Sequence, residues 1–289
     1  MILSDSTYVI LINWNGAEDT LSCLEALARL AEPKPLVVVV DNGSTDGSLE
    51  LLKASTRIDR LIASPRNLGF GPACNLAIAE ISSEQPNYIW LLNNDARPDK
   101  NALRAMLEVA AADPKIGAIG SLIYRDLPMT DLECWGGGRV NLYSGQPHHL
   151  TAPGKLDYIT GASVLLRASA MQQVGGFDEH FFLYWEDADL SLRLQRAGWL
   201  LAVAENSKIF HAASTSAKKA GTNIIRYFND GAIRFYTRYA PFPALPIIIN
   251  FLYRFFGQLK VGKFQNAWVL LKLYCAALGA PNRGLGRKS

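Results

Sequence analysis

Four short polar stretches carry the residue types from which a reactive or ligand-binding centre is built: Asp41-Asn42-Gly43-Ser44-Thr45-Asp46-Gly47-Ser48, Asn93-Asn94-Asp95, Glu186-Asp187-Ala188-Asp189, and His211. The first combines a carboxylate with two glycines for tight backbone geometry and small hydroxyls that cap helices. Asp41 can accept a hydrogen bond from a base N–H or a ribose hydroxyl, whereas Asp46 and Ser44 suit helix capping. In the second stretch one carboxylate, Asp95, ends an apolar run. Beside phosphate oxygens it needs a hard divalent cation, Mg²⁺ or Mn²⁺, between them; a plain solvated turn is the competing reading. The third stretch could supply a general base that takes a proton from a hydroxyl. Acidic residues in a helix's first turn are also favoured by the helix dipole, which lowers their pKa, while a like charge alongside raises one of them again. Spacing alone does not say which of the three would act. His211 follows Lys208-Ile209-Phe210, and a lone histidine is more often structural than a ligand; His148, His149 and His180 are weaker candidates still.

These groups need a scaffold, and the chain supplies a regular one. Apolar runs at Tyr8 to Ile12, Leu36 to Val40, Arg60 to Ala63, Tyr88 to Leu92 and Ile116 to Gly120 read as buried strands. Helical patterns lie between them, including Asp99 to Ala112, in which Leu103, Met106, Leu107 and Ala110 share one face. Alternation of this kind predicts an α/β fold, a mostly parallel sheet with helices on both faces. In such sheets ligands bind beyond the carboxyl ends of the strands. Asn13 and Asn15, Asp41 to Ser44, Arg66-Asn67-Leu68-Gly69 and Asn93 to Asp95 all fall there. Any one could be a polar turn; four at one sheet edge favour a cleft.

From about Leu122 to Asp157 the pattern loosens into loops or irregular strands. A second ordered block begins at Tyr158, and Leu190 to Ala197 reads as a helix stopped by Gly198, with the acidic cluster at its start. Beyond Asn223 the chain reads as helices. The apolar stretch Pro241 to Leu259 contains three prolines and Arg254, a poor membrane span. Arg238, Lys260, Lys263 and Lys272, with Trp268 and Tyr274, instead suit a helix pair lying on a membrane surface. A helical hairpin packed on the domain or on a second subunit, giving a homodimer, fits equally.

Composition narrows the class. The chain has 289 residues, 49% apolar and 19% charged, with a net charge of +3, the balance of a packed globular protein with no excess of cations for nucleic acid. Cys23, Cys74, Cys134 and Cys275 are far apart and form neither a zinc pattern nor a disulfide framework, which favours a reducing cytoplasm. The first apolar run is too short for a signal peptide's core.

Taken together the motifs resemble glycosyltransferase family 2, the inverting enzymes of the GT-A fold, and its rhamnosyltransferase-like branch. The matching stretches are Val9-Ile10-Leu11-Ile12-Asn13-Trp14-Asn15, Val40 to Ser48, Asn67-Leu68-Gly69-Phe70-Gly71, Leu91-Leu92-Asn93-Asn94-Asp95, Thr160-Gly161-Ala162, and Gly175-Gly176-Phe177-Asp178-Glu179 running on to Glu186-Asp187-Ala188-Asp189-Leu190. The resemblance covers roughly residues 7 to 215. It implies a nucleotide-diphosphate sugar donor, dTDP-rhamnose or a UDP-sugar, and a saccharide or lipid-linked saccharide acceptor in cell-surface polysaccharide synthesis, with the protein cytoplasmic or peripheral on the inner face of the membrane. It also implies that Asp41 contacts the base, that Asn13, Asn15, Asn67, Gly69, Asn93 and Asn94 line the nucleotide-sugar site, and that Asp95 and His211 hold Mg²⁺ or Mn²⁺. Asp187 becomes the catalytic base, with Gly161, Ala162, Trp185 and Glu186 in the donor/acceptor pocket.

One departure stands out. The family's Asp-x-Asp is here Asn93-Asn94-Asp95, so one carboxylate remains and His211 gains weight as second ligand. The expected organisation is a transferase domain over 1–222, its nucleotide half about 1–121 and acceptor half about 122–222, then a helical extension over 223–280 and a flexible tail over 281–289. Two other classes stay open: a non-catalytic nucleotide-sugar or saccharide binding module, for which the acids would be dispensable, and a nucleotidyltransferase, which would need a glycine-rich phosphate loop where Asn13-Trp14-Asn15-Gly16 stands.

Overall fold

The computed structural model describes residues 6–125, 131–211 and 223–279; the segment after His211 and the expected tail over 281–289 lie outside the described residues. Chain order begins β1 (Thr7–Asn13), α1 (Ala17–Ala28), β2 (Leu36–Asp41), α2 (Ser48–Lys53), β3 (Arg60–Ala63), α3 (Phe70–Ile81), β4 (Tyr88–Leu92), β5 (Ala96–Pro98), α4 (Ala102–Ala112) and β6 (Ile116–Arg125). It continues β7 (Leu132–Trp135), β8 (Gly137–Asn141), β9 (Gln146–His149), β10 (Tyr158–Ile159), β11 (Ser163–Arg167), α5 (Ala168–Val174), α6 (Glu186–Arg196) and β12 (Leu200–His211). Three helices close the described chain: α7 (Asn223–Tyr239), α8 (Ala244–Lys260) and α9 (Phe264–Gly279).

The main sheet runs β3-β2-β1-β4-β11-β6-β12-β5, with β7 paired on β6. Strands β1 to β4 are mutually parallel, as uninterrupted apolar runs joined by helices require, while β11 enters antiparallel between β4 and β6. Two apolar cores lie on the sheet's opposite faces. One packs Leu24, Leu27, Leu103, Met106 and Leu107 from α1 and α4; the other packs Ala73, Cys74, Ala77, Met171, Leu190 and Leu194 from α3, α5 and α6. Helix α4 begins at Ala102 and not at Asp99, because the Asp99 carboxylate accepts the Asn101 N–H at 2.9 Å and closes a turn ahead of the helix. The loose region resolves into β7 and a small sheet, β10-β8-β9. All four cysteines are free thiols.

The last three helices cover the protein's own surface. A third core joins Tyr158, Phe181, Trp185 and Ala188 to Ala232, Phe235, Tyr236, Tyr239, Ile247, Leu270 and Tyr274. Gly231 permits the approach, since a Cβ there would sit 2.9 Å from the Tyr184 carbonyl and the Trp185 ring. The outer face of α8 is left bare: Leu245, Ile248, Ile249, Leu252, Tyr253 and Phe256 are all exposed, at helical spacing.

Candidate active site

Strand register brings the polar ends together. β1 and β2 pair in parallel with Asn13 opposite Asp41, and the Asn13 amide donates to Asp41 Oδ1 at 2.8 Å and to Ser44 Oγ at 3.1 Å. Asn13 Oδ1 in turn accepts from Thr20 Oγ1, which accepts from Asn94 Nδ2, both at 2.9 Å. A buried polar chain thus ties the end of β2 to the end of β4. Asn13 and Asn94 are turned inward and position the cleft's edge, and Asp41 itself is only 2% exposed. Asn15 sits in the left-handed region at φ 52°, its Oδ1 accepting the Thr45 N–H at 2.7 Å.

The loop after β3 is locked to the loop after β2. Asn42 Nδ2 donates to Asn67 Oδ1 and to the Gly69 carbonyl, each at 3.1 Å. Gly69 has φ 92°, and a Cβ there would lie 2.3 Å from the Phe182 carbonyl oxygen, which accepts the Phe70 N–H at 2.8 Å. Gly69 is therefore required where α3 meets the segment leading to α6.

Asp95 and His211 meet because the three-residue strand β5 pairs with the end of β12, placing His211 opposite Ala96. His211 Nε2 lies 3.1 Å from Asp95 Oδ1 and 3.0 Å from Asn93 Nδ2. Burial works against the charged imidazole, but the hydrogen bond and charge of Asp95, with Glu133 nearby, outweigh it and lift the pKa of His211. A carboxylate oxygen and an imidazole nitrogen converging on one point are a donor pair that suits a divalent ion whose other positions go to phosphate and water. Among the described residues no cluster of three metal-binding side chains occurs. The donor set is a pair.

From Asn93 the structure leads directly to the acidic cluster. The Asn93 N–H donates to the Ala162 carbonyl at 3.0 Å, and the Gly161 N–H donates to Asp187 Oδ2 at 3.1 Å. Asp187 Oδ1 accepts the Ala188 N–H at 2.8 Å. Ahead of α6, Tyr184 and Trp185 both hold left-handed backbone, at φ 71° and 74°, a strained pair that aims Glu186 and Asp187 at the cleft. The three acids have separate fates. Asp189, 0% exposed, accepts from Arg193, Arg238 and Tyr239 at 2.7, 2.7 and 2.6 Å and is a structural anchor. Glu186 is buried with Oε2 unpartnered, and burial, then Asp187, pushes its carboxyl well up. Burial raises Asp187 too, against the opposing Gly161 and Ala188 N–H groups and His149. Spacing left the helix dipole and the like charge alongside opposed, and burial, which neither pattern carries, decides the balance by raising both carboxyls.

Two cavities share this wall. One, of about 220 Å³, is lined by Asn93, His211, Glu133, Gly161, Ala162 and Asp187. Its neighbour, of about 380 Å³, is lined by Trp185, Asp187, His148, His149, Tyr158 and Arg254. His149, ranked low from sequence, lies in both cavities, 3.3 Å from Cys134 Sγ and from Tyr158 Oη. It arrives from β9, whose Gln-Pro-His-His has no strand periodicity, so nothing in the local pattern marks it. Glu133 and Arg254 are likewise brought in by tertiary packing.

The chain is 28% identical over 239 residues to the N-acetylglucosaminyl-diphospho-decaprenol L-rhamnosyltransferase of Mycobacterium tuberculosis H37Rv, covering 72% of this chain and 76% of the relative. It is 25% identical over 216 residues to the succinoglycan biosynthesis protein ExoA of Rhizobium meliloti, covering 73% and 64%. Among solved structures, the mannosyltransferase PcManGT of Pyrobaculum calidifontis, in complex with GDP-Man and Mn²⁺, superposes with a TM-score of 0.61 at 18% identity over 97% of this chain and 77% of that one. GalNAc-T7 with UDP, GalNAc and Mn²⁺ gives 0.66 at 12% identity; the match covers 82% of this chain and 48% of that longer one. These likenesses establish the GT-A architecture expected from the sequence. The Glycosyl transferase family 2 model matches residues 8–174, from the first strand through α5 and so over more than half the sequence, and the chain is a glycosyltransferase belonging to that family.

Proposed function

We propose that the enzyme transfers a sugar, with inversion, from a nucleotide-diphosphate donor to a lipid-linked saccharide during cell-surface polysaccharide synthesis. The observation that carries this reading is the place of Asp187 on the wall common to two cavities, one running to Asn93 and to His211, which pairs with Asp95, and the other to the C-terminal helices. In this reading the loops bearing Asn15, Asp41 and Asn67 hold the nucleotide. Asp95 and His211 would hold Mg²⁺ or Mn²⁺, which when bound neutralises charge on the departing diphosphate. Gly161 and Ala162 bound the donor sugar. Asp187 takes the proton of the acceptor hydroxyl as that oxygen attacks the anomeric carbon, the bond to the diphosphate breaks, and the nucleoside diphosphate leaves with the electron pair. Its two oxygens are held by backbone N–H groups, so the carboxylate is oriented before the acceptor arrives. One displacement inverts the centre.

dTDP-rhamnose is the first donor to test, because the M. tuberculosis relative is named as an L-rhamnosyltransferase; UDP-sugars come next. That name also supplies a lipid-diphosphate acceptor. Among the described residues no helix is long and apolar enough to cross a membrane. The bare apolar face of α8, with Phe264 and Trp268 exposed beside it and Lys260, Lys263 and Lys272 at its margin, supports contact with the inner membrane surface. A second copy of the chain is the competing occupant of that face. The deciding assay is radiolabelled transfer from a panel of nucleotide sugars to prenyl-diphosphate-linked saccharides, with and without Mn²⁺. We expect metal-dependent product of inverted configuration, lost in Asp95→Asn. Nucleotide-sugar binding without transfer to any acceptor would instead mark a binding module.

A further inference from the structure

Among the described residues Arg254 is a cation with no carboxylate beside it. It lies on the inner side of α8, two residues and hence about 200° of helical turn from Leu252 and Phe256 on the exposed face. Its guanidinium stacks on Phe228 at 3.9 Å from the ring centroid, and its Nε donates to Asn250 Oδ1 at 3.0 Å. Asn250 is itself fixed: its amide donates to Tyr274 Oη at 3.1 Å, and that hydroxyl donates to Asn229 Oδ1 at 2.9 Å. Asn229 and Asn250 are fully buried. All three C-terminal helices thus contribute to one relay whose end is Arg254. Among the described residues, no carboxylate pairs with it, unlike Arg193 and Arg238, which both meet Asp189.

Arg254 faces the larger cavity, opposite the wall formed by Glu186 and Asp187. Arg254 is half-buried, and its charge meets only a neutral amide and an aromatic ring, so an anion in the cavity would compensate it. Burial also disfavours the charged guanidinium, which a bound anion would offset. His211 lines only the neighbouring cavity, which meets this one at Asp187, so an anion beside Arg254 is distinct from a donor diphosphate held at Asp95 and His211.

We infer that Arg254 binds a phosphate or diphosphate carried by the acceptor between its saccharide and its lipid. The inference rests on the proposed acceptor side of the cleft and names the chemistry that this side selects. With the anion at Arg254 and the sugar between it and Asp187, the lipid leaves past α8, whose outer face is apolar.

The test is binding, independent of transfer. Farnesyl diphosphate and farnesol are titrated into the full chain in EDTA, so that no metal draws the diphosphate to Asp95, and tryptophan fluorescence is read. The wild type should bind the diphosphate at least about tenfold more tightly than the alcohol, Arg254→Gln should remove that preference, and Arg254→Lys should restore part of it. Arg254→Met, which keeps the packing on Phe228, should melt near the wild type yet bind like the glutamine variant. Equal binding of farnesyl diphosphate by wild type and Arg254→Gln overturns the inference, as does an equal loss of both ligands. Phosphatidylglycerol vesicles form the second arm. If Arg254→Gln weakens vesicle binding and leaves farnesyl diphosphate unchanged, the anion is a membrane headgroup and the acceptor assignment falls. UDP- and dTDP-sugar binding with Mn²⁺, measured on the same variants, should not change. Its absence in the wild type would sink the donor reading while the anion site stood.

Discussion

Asp187 and Asp189 lie two residues apart in one helix turn, and their replacement by asparagine should give opposite signatures. Asp189 is completely buried and meets two guanidinium groups and a tyrosine hydroxyl, two of these partners coming from α7. Removing one partner of a buried ion pair typically costs about 3–5 kcal/mol. Arg238 is 35% exposed and also pairs with Asp178, so its charge is not stranded, and the lower end, about 3 kcal/mol, applies. For a chain of this size that is a fall in Tm of roughly 6–12 °C. Asp187→Asn loses less, because Gly161 and Ala188 both donate to the carboxylate and an amide can accept from one of them. We expect about 1 kcal/mol from the other, a shift of roughly 2–4 °C. Transfer should move the other way: a fall of about 10²–10⁴-fold in kcat for Asp187→Asn, and near-normal turnover for Asp189→Asn below its melting range. Calorimetry and a steady-state transfer assay on the two variants suffice. If Asp189→Asn melts with the wild type, or Asp187→Asn turns over normally, the division of the acids is wrong.

Other outcomes follow from the same geometry. Gly69→Ala would need a left-handed alanine with its Cβ against the Phe182 carbonyl; the backbone strain alone is about 1–3 kcal/mol, and weaker nucleotide-sugar binding should accompany the drop in Tm. Glu186 has its folded pKa raised above the ordinary 4.5 by burial and then by Asp187. Its neutral form therefore stabilises the fold fully at pH below that ordinary value, and the contribution is lost as pH climbs through the raised one. Glu186→Gln should flatten this decline in a series of melts across pH, and an unchanged slope would assign it to another group. Leu252→Glu with Phe256→Glu, both on the outer face of α8, should abolish sedimentation with anionic vesicles while leaving nucleotide binding intact. A variant that stays vesicle-bound but loses self-association would point to a second copy on that face.

The polar sheet edge was legible in the sequence because β1, β2 and β4 are almost wholly apolar runs whose ends are abruptly polar, while the half-buried β3 is marked only by Leu61, Ile62 and Ala63. Buried parallel strands demand both, and β1 to β4 appear within a residue or two of where the runs lie. Turns that belong to an edge could be recognised, but not which way each side chain faces; Asn13 and Asn94 share the signal of Asn93 and point inward. His211 had only its resemblance to support it, since a three-residue strand such as β5 leaves no periodicity to predict the register that brings Ala96 opposite it. The opposite wall of the cleft was largely illegible. His149, Glu133 and Arg254 come from β9, β7 and α8, and their meeting depends on packing among segments far apart in sequence. The raised pKa values of Glu186 and Asp187 have the same origin, because burial is a property of the packed fold and the helix dipole a property of the local pattern.

The polar chain from Asp41 through Asn13 and Thr20 to Asn94 joins residues from the first third of the sequence, whereas the opposite wall requires Arg254. A chain made from its N-terminus thus has the polar edge's strands in hand long before α8 is synthesised. In the proposed reading, enclosure of the acceptor beside Asp187 is the last event of synthesis, and until α8 docks an activated sugar held at that edge would face only water.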